Sequence, residues 1–360
     1  MRTLLLAALA SAAMAGASIA IAQTPPASTS APAKPYAGTL ERITVHGSSL
    51  VGNLSGDSPD RQVSVYLPKS YATQPGKRYP VLYMLHGFTS TDERWFDPAV
   101  KRYVNAPTAT DRAVANGAGE MIIVMPNAFT AFQGSMYSNS VATGDWEAYI
   151  ARDLVGYIDA HYRTLATRAS RGLAGHSMGG YGAVRIGMKH PEVFSSLYSL
   201  SPCCMSANLE PTVQRFARAL AIAAEGDITA LKEADFGTKA MLASAAAWSP
   251  NPKNPPLYID LPIAADGKPA PDVVAKWAAN APLTMVHQYI PAMRSFEAIA
   301  VDAGDMDVAI AGTVRRLDQT LDEYGIAHIA EIYSGDHTNR VDERLETKVL
   351  PFFSAHLKFE

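Results

Sequence analysis

Gly175-His176-Ser177-Met178-Gly179-Gly180 lies between a short apolar stretch ending near Ala174 and a helical pattern that runs to about His190, where Pro191 stops it. A serine hydroxyl becomes a useful nucleophile only when the backbone holds it away from its own chain and beside a base. A sharp strand-to-helix turn does this at Ser177, at the cost of a strained backbone. Such a turn brings backbones close together and so requires Gly175 and Gly179. The helix that follows would aim its first N–H groups, that of Met178 among them, at a developing oxyanion. One Gly-x-Ser-x-Gly has a chance expectation of about 0.1 in a chain of this length. The strand before it and the helix after it therefore carry the reading of Ser177 as a nucleophile.

Working outward, Pro80 to Leu85 and Met121 to Met125 are continuous apolar runs, as expected of strands covered on both faces. Earlier still, Arg42 to Val45 and Gln62 to Tyr66 alternate, which suggests an antiparallel start. Trp146, Tyr149, Ile150, Leu154, Tyr157 and Ile158 form one stripe and predict a helix from about Asp145 to Tyr162. A strand is expected around Leu197 to Leu200, another from Phe296 to Asp302, a helix from Val308 to Tyr324, a strand from Ala327 to Tyr333 and a last helix from Arg340 to Leu357. Strand and helix in alternation give right-handed crossovers and a doubly wound, mostly parallel sheet. The alternation breaks between Cys203 and Pro282, where Asn208 to Glu225 and Phe236 to Trp248 are helical in pattern and the proline-rich Ser249 to Pro262 is not. This segment, 203–282, is expected to be an inserted, partly helical cap.

Of nine histidines, His337 has the position of a base: it follows the last predicted strand in Ser334-Gly335-Asp336-His337-Thr338-Asn339. His176 is too close to Ser177 along the chain for useful geometry, His328 is read inside a strand, and His86 is read as a structural hydrogen-bonder. Asp302, Asp305 and Asp307 all lie where a strand passes into a helix, the place for the group that orients the imidazole. A calcium loop is the rival reading of these aspartates, but no turn glycine or closing Glu stands at the required spacing. No local metal signature is present, and neither a metal nor a cofactor is expected.

The run His86-Gly87, the segments Tyr137 to Ser140 and Gly144 to Glu147, the elbow Gly175 to Gly182 with His190-Pro191 and Phe194, and Gly335-x-His337 resemble the esterase D family. That family of α/β-hydrolases also includes feruloyl esterases, siderophore esterases and the antigen 85 mycolyltransferases. The similarity covers about Arg61 to Ser201 and Phe296 to His337 and leaves the insertion outside it. It implies acyl-ester chemistry without a cofactor, with the acid three residues after Gly304, which is Asp307. It also implies that the backbone N–H groups of Phe88 and Met178 form the oxyanion hole.

Residues 1–22 read as a secretory signal, with Arg2, an apolar run from Leu4 to Ala17 and Ala20-Ile21-Ala22 before the cleavage point. Residues 23–38 read as a Pro/Ala/Ser-rich flexible linker, and 39–360 as the hydrolase domain. A periplasmic or secreted protein without a stable membrane anchor is expected. A net charge of −3 without a basic cluster gives no field for nucleic acid. Cys203 and Cys204 are the only cysteines and, being adjacent, cannot staple the fold.

The expectation is thus a serine esterase with Ser177, His337 and Asp307 as its triad, acting on a small-molecule or carbohydrate ester, with acylated carbohydrates and hydroxycinnamate esters as candidate substrates. Trp95, Phe96, Tyr137, Trp248 and Tyr258 are candidates for an aromatic pocket. An acyltransferase or a serine peptidase on the same fold, and a non-catalytic exported binding protein, are the alternatives. The oligomeric state is not readable.

Overall fold

A computed structural model describes residues 36–96, 103–207, 211–264 and 266–360. The signal at 1–22 and all but the last three residues of the linker lie outside these. Eight strands form one sheet: β1 (Thr39–His46), β2 (Asp60–Leu67), β3 (Val81–Leu85), β4 (Ile122–Pro126), β5 (Arg171–His176), β6 (Ser196–Leu200), β7 (Ala298–Gly304) and β8 (Ile329–Tyr333). Their order is β1-β2-β4-β3-β5-β6-β7-β8. The first two are antiparallel to their neighbours and the remaining six are mutually parallel. This is the doubly wound sheet of an α/β-hydrolase.

The pleat sends alternate residues to opposite faces, and here both faces are covered. Val81, Tyr83 and Leu85 join one apolar core while Leu82 and Met84 join another. That division is why the strand reads as an unbroken apolar run. The predicted helix after β4 spans 146–161, opened by the Asp145 carboxylate accepting from the Ala148 N–H at 2.8 Å, with a π-helical turn at Tyr149–Leu154. Strand β5 delivers the chain to the middle of the sheet, between β3 and β6. Its C-terminal end is therefore flanked by strand ends on both sides.

The segment between β6 and β7, where the cap is expected, carries the helices Val213–Glu225, Ile228–Glu233, Phe236–Trp248 and Pro271–Ala279, followed by the short Pro282–Met285 and Ile290–Arg294. The first starts later than the sequence suggested, because the Thr212 side chain accepts from the Arg215 N–H and caps it there. The helix Pro271–Ala279 was not anticipated. The indole N–H of Trp248 donates to Ser138 at 3.3 Å, that of Trp277 donates to Ser249 at 2.9 Å, and the two rings pack edge to face. The first of these contacts ties the inserted segment to the loop after β4, and the other two hold its helices to one another.

Asp302 is fully buried in β7, where it pairs with Arg344 at 2.6 Å and accepts from the Tyr198 hydroxyl at 2.9 Å. Arg344 also reaches Glu331 on β8, so one guanidinium ties two strands to the last helical segment. Truncating one partner would leave a buried charge uncompensated. Asp302→Ala should therefore lower stability by about 3–5 kcal/mol in urea unfolding. A loss of under about 1 kcal/mol would mean that this pair does not hold β7 in place.

Candidate active site

At the end of β5 the chain turns at Ser177 with φ +58° and ψ −115°, left-handed backbone that costs a non-glycine residue about 1–3 kcal/mol. The turn is held by the Ser177 N–H donating to Leu200 O at 3.0 Å, and by Ser177 O accepting from Tyr181 N–H and Cys203 N–H. The glycines are required as the sequence implied. A Cβ at Gly175 would lie 2.2 Å from Gly179 O, and one at Gly179 would lie 1.9 Å from Leu85 O.

Ser177, Asp307 and His337 line one cavity of about 270 Å³ together with Phe88, Met136, Phe236, Ala240, Ser244, Ile310, Cys203 and Cys204. His337 Nδ1 lies 2.5 Å from Asp307 Oδ2, so the carboxylate fixes the ring and the proton on Nδ1 and leaves Nε2 as the free base. Among the described residues, no hydrogen bond joins Ser177 Oγ to His337. Catalytic contacts in unliganded sites commonly tighten only around substrate. A larger open cleft of about 730 Å³, lined by Ser49, Asn53, Asn139, Asp145 and Pro250 among others, contains none of these groups.

The loops that carry Asp307 and His337 cross at two glycines: a Cβ at Gly304 would meet Gly335 O at 2.3 Å. Asp305 does not cap the helix Val308–Glu323; it accepts from the Gly335 N–H at 3.0 Å and holds the histidine loop. Asp336 accepts from the N–H groups of Thr338 and Asn339, closing that loop on itself. His176 Nε2–H donates to His337 O at 2.8 Å, a supporting role not read from the sequence. His328 lies just before β8 rather than inside a strand and pairs with Asp318.

The backbone N–H groups of Phe88 and Met178 donate to no protein acceptor among the described residues. A Cβ at Gly87 would stand 3.4 Å from Ser177 Cβ, so the loop after β3 passes directly beside the serine. His86 fixes that loop, with Nδ1–H on Gly87 O and Nε2 accepting from Ala128 N–H, both at 2.8 Å. It is structural, as expected.

The expected aromatic pocket is not formed by the residues proposed for it. Trp95 is buried in the opposite core and Phe96 packs against that core. Tyr137 is fully buried and donates to His86 O, Trp248 anchors the cap, and Tyr258 packs against the cap core. Phe88, Met136, Phe236 and Ile310 supply the apolar wall instead. Of these, Phe236 was readable only as part of the insertion and Ile310 only by its spacing from Asp307.

Burial holds both supporting imidazoles neutral, lowering His86 from 6.5 to about 4 and His176 from 6.5 to about 3. The unfolded chain gains these protons as pH falls below 6.5, while the folded protein resists until those lower values. Their contribution to stability is complete above pH 6.5 and is lost progressively toward pH 4 and below. The urea midpoint should accordingly fall across this window, and His176→Gln, which keeps an N–H donor, should flatten the fall. An equal slope in the variant would show that His176 is not held neutral.

The "Esterase" family model matches residues 58–341, a span that includes the cap. Esterase Rv1288 of Mycobacterium tuberculosis is 37% identical over 144 residues, covering 39% of this chain and 28% of that protein. The endo-1,4-beta-xylanase/feruloyl esterase of Xylanibacter ruminicola is 31% identical over 161 residues, covering 44% of this chain and 20% of that protein. The matched region thus spans less than a third of these curated relatives. Among solved structures, a ferulic acid esterase superposes with a TM-score of 0.62 at 23% identity, covering 89% of this chain and 100% of that one. An S-formylglutathione hydrolase from Agrobacterium tumefaciens gives 0.57 at 15% identity, covering 90% and 98%. At such identities the likeness shows the fold alone. With the family match extending over more than half of its length and an eight-stranded hydrolase sheet beneath it, the chain belongs to the Esterase family of α/β-hydrolases.

Proposed function

We propose that the chain is a serine carboxylic-ester hydrolase that takes neutral esters with an apolar acyl group and works through an acyl-enzyme. The carrying observation is that a strained serine, a carboxylate-bound histidine and an apolar wall share one cavity. No Lys or Arg lines that cavity among the described residues, so an acyl group bearing its own negative charge would find no partner. Hydroxycinnamate and other aromatic or aliphatic acyl groups on a carbohydrate or small alcohol fit this lining. On the reading of residues 1–22 as a secretory signal, the reaction takes place outside the cytoplasm.

In this reaction Ser177 Oγ attacks the ester carbonyl while His337 Nε2 takes its proton. Asp307 stabilises the imidazolium that results. The N–H groups of Phe88 and Met178 hold the developing oxyanion. His337 then gives the proton to the leaving alcohol, and water drawn through the same base releases the acid.

A panel of p-nitrophenyl esters of rising chain length, with methyl ferulate and acetylated xylan, tests the reading. Ser177→Ala should lose about 10⁴- to 10⁶-fold in kcat with unchanged circular dichroism. Activity within about tenfold of the original would end the triad assignment. Asp307→Asn should cost about 10⁴-fold by favouring the wrong imidazole tautomer. Asp305→Asn, which keeps an oxygen for the Gly335 N–H, should retain at least about a hundredfold more activity than Asp307→Asn. The reverse order would move the orienting role to Asp305.

The cap contributes Phe236, Ala240 and Ser244 to the cavity and none of the proposed triad. Phe236→Ala should shift the preference between long and short acyl chains by about tenfold, the scale of small apolar changes in a pocket. An unchanged ranking in a folded variant would remove the cap from substrate choice.

A further inference from the structure

In an extended chain, neighbouring side chains point to opposite sides. Cys203 and Cys204 do not: both line the cavity that holds Ser177 and His337. The chain leaves β6 through Ser201 at φ +40° and Cys204 at φ +61°, two left-handed turns at non-glycine residues. Their result is that the two thiols face the same space, with Sγ···Sγ at 2.6 Å. Both residues are partly exposed, so a small reagent in the cavity reaches them. The Cys203 N–H also donates to Ser177 O at 3.2 Å, which couples this turn to the backbone of the serine.

We propose that Cys203 and Cys204 form a reversible two-electron redox site in the pocket wall, closing to a vicinal disulfide with a low-molecular-weight disulfide as oxidant, and that closure alters which acyl groups the pocket accepts. Cys204 attacks one sulfur of the external disulfide as a thiolate, its S–S bond breaks, and one external thiolate leaves. Cys203 then gives up its proton and attacks the Cys204 sulfur, expelling the second external thiolate. Two cysteine sulfurs are oxidised by two electrons in all. The external disulfide is reduced to two thiols, which take up the two protons released. The hydrogen bond that the Cys203 S–H donates to Cys204 Sγ, together with burial, holds the Cys203 thiol well above its ordinary range, which makes Cys203 the poorer initiator and the resolving partner.

Adjacent Cα atoms are ~3.8 Å apart, below the ~4.4–6.8 Å of ordinary disulfides. The ring is therefore strained and readily reduced, which suits a switch and not a staple. Closure replaces two rotatable thiols with one stiff apolar edge beside the serine.

The test uses the purified full chain, incubated with oxidised glutathione or with dithiothreitol, and reads intact mass, free thiols and the ester panel. The expected result is a mass lower by two hydrogens after oxidation, joint loss of both thiols and no lasting glutathione adduct. The preference between long and short esters should change by about tenfold and return on reduction. Cys203→Ser should trap a glutathione adduct on Cys204, and neither it nor Cys204→Ser should lose two hydrogens. Two free thiols after the oxidising incubation, or one glutathione on each, would overturn the redox site. A ring that forms without moving the ester ranking would overturn its coupling to the pocket. The kinetic arm rests on the esterase reading above, whereas the mass arm does not: an inactive protein that still closes the ring would sink that reading and leave the redox chemistry standing.

Discussion

The space between Gly179 and the carbonyl of Leu85 cannot take even a methyl group, and the site is organised around that contact. It presses the first turn of the helix Met178–Lys189 against the end of β3, which forces the chain to reverse direction at Ser177. The same approach brings the loop after β3 alongside the serine, so the two unpaired N–H groups belong to the two backbones in contact. The proposed nucleophile and the proposed oxyanion donors thus follow from one close packing of main chains. Side-chain identity at Phe88 matters to the cavity wall, whereas the backbone N–H groups of Phe88 and Met178 do not depend on side-chain identity.

A second close approach does comparable work on the other side. Gly304 and Gly335 let the loops after β7 and β8 cross, and around that crossing stand three hydrogen-bonded supports: Asp305 on the Gly335 N–H, Asp336 on its own loop, and His176 on the His337 carbonyl. Each fixes backbone, which leaves the Asp307 carboxylate and the His337 ring as the groups directed into the cavity. The supports are buried or short in reach, so the imidazole is positioned by a frame that does not itself titrate near neutral pH in the case of His176.

How much of this was legible follows from what periodicity and local pattern encode. Strands β3 and β4 were readable because both faces are covered, and the elbow because glycine is demanded on either side of Ser177. Asp302 stands within β7, and the pleat turns it into the core toward Arg344, away from the place of Asp307. The role of Asp305 was not readable, since a carboxylate before a helix looks the same whether it caps that helix or reaches a distant loop. The aromatic pocket failed for a related reason: residue type says nothing about direction. Gln133, Met136 and Tyr137 all take positive φ, and this irregular backbone sends Met136 into the cavity and buries Tyr137 beneath it. No period of two or 3.6 describes such a loop.

Phe236 lines the cavity and stacks edge to face on Phe88, yet it is 65% exposed. Its outer face is open to solvent. Any portion of a ligand that covers that face gains contact energy that is the same before and during bond making, because nothing there changes charge or shape along the reaction. Such contact lowers KM and leaves kcat alone. In the proposed reaction, a long or aromatic extension would therefore let a substrate be captured at lower concentration without making it turn over faster, and the advantage of such esters would be greatest when they are dilute.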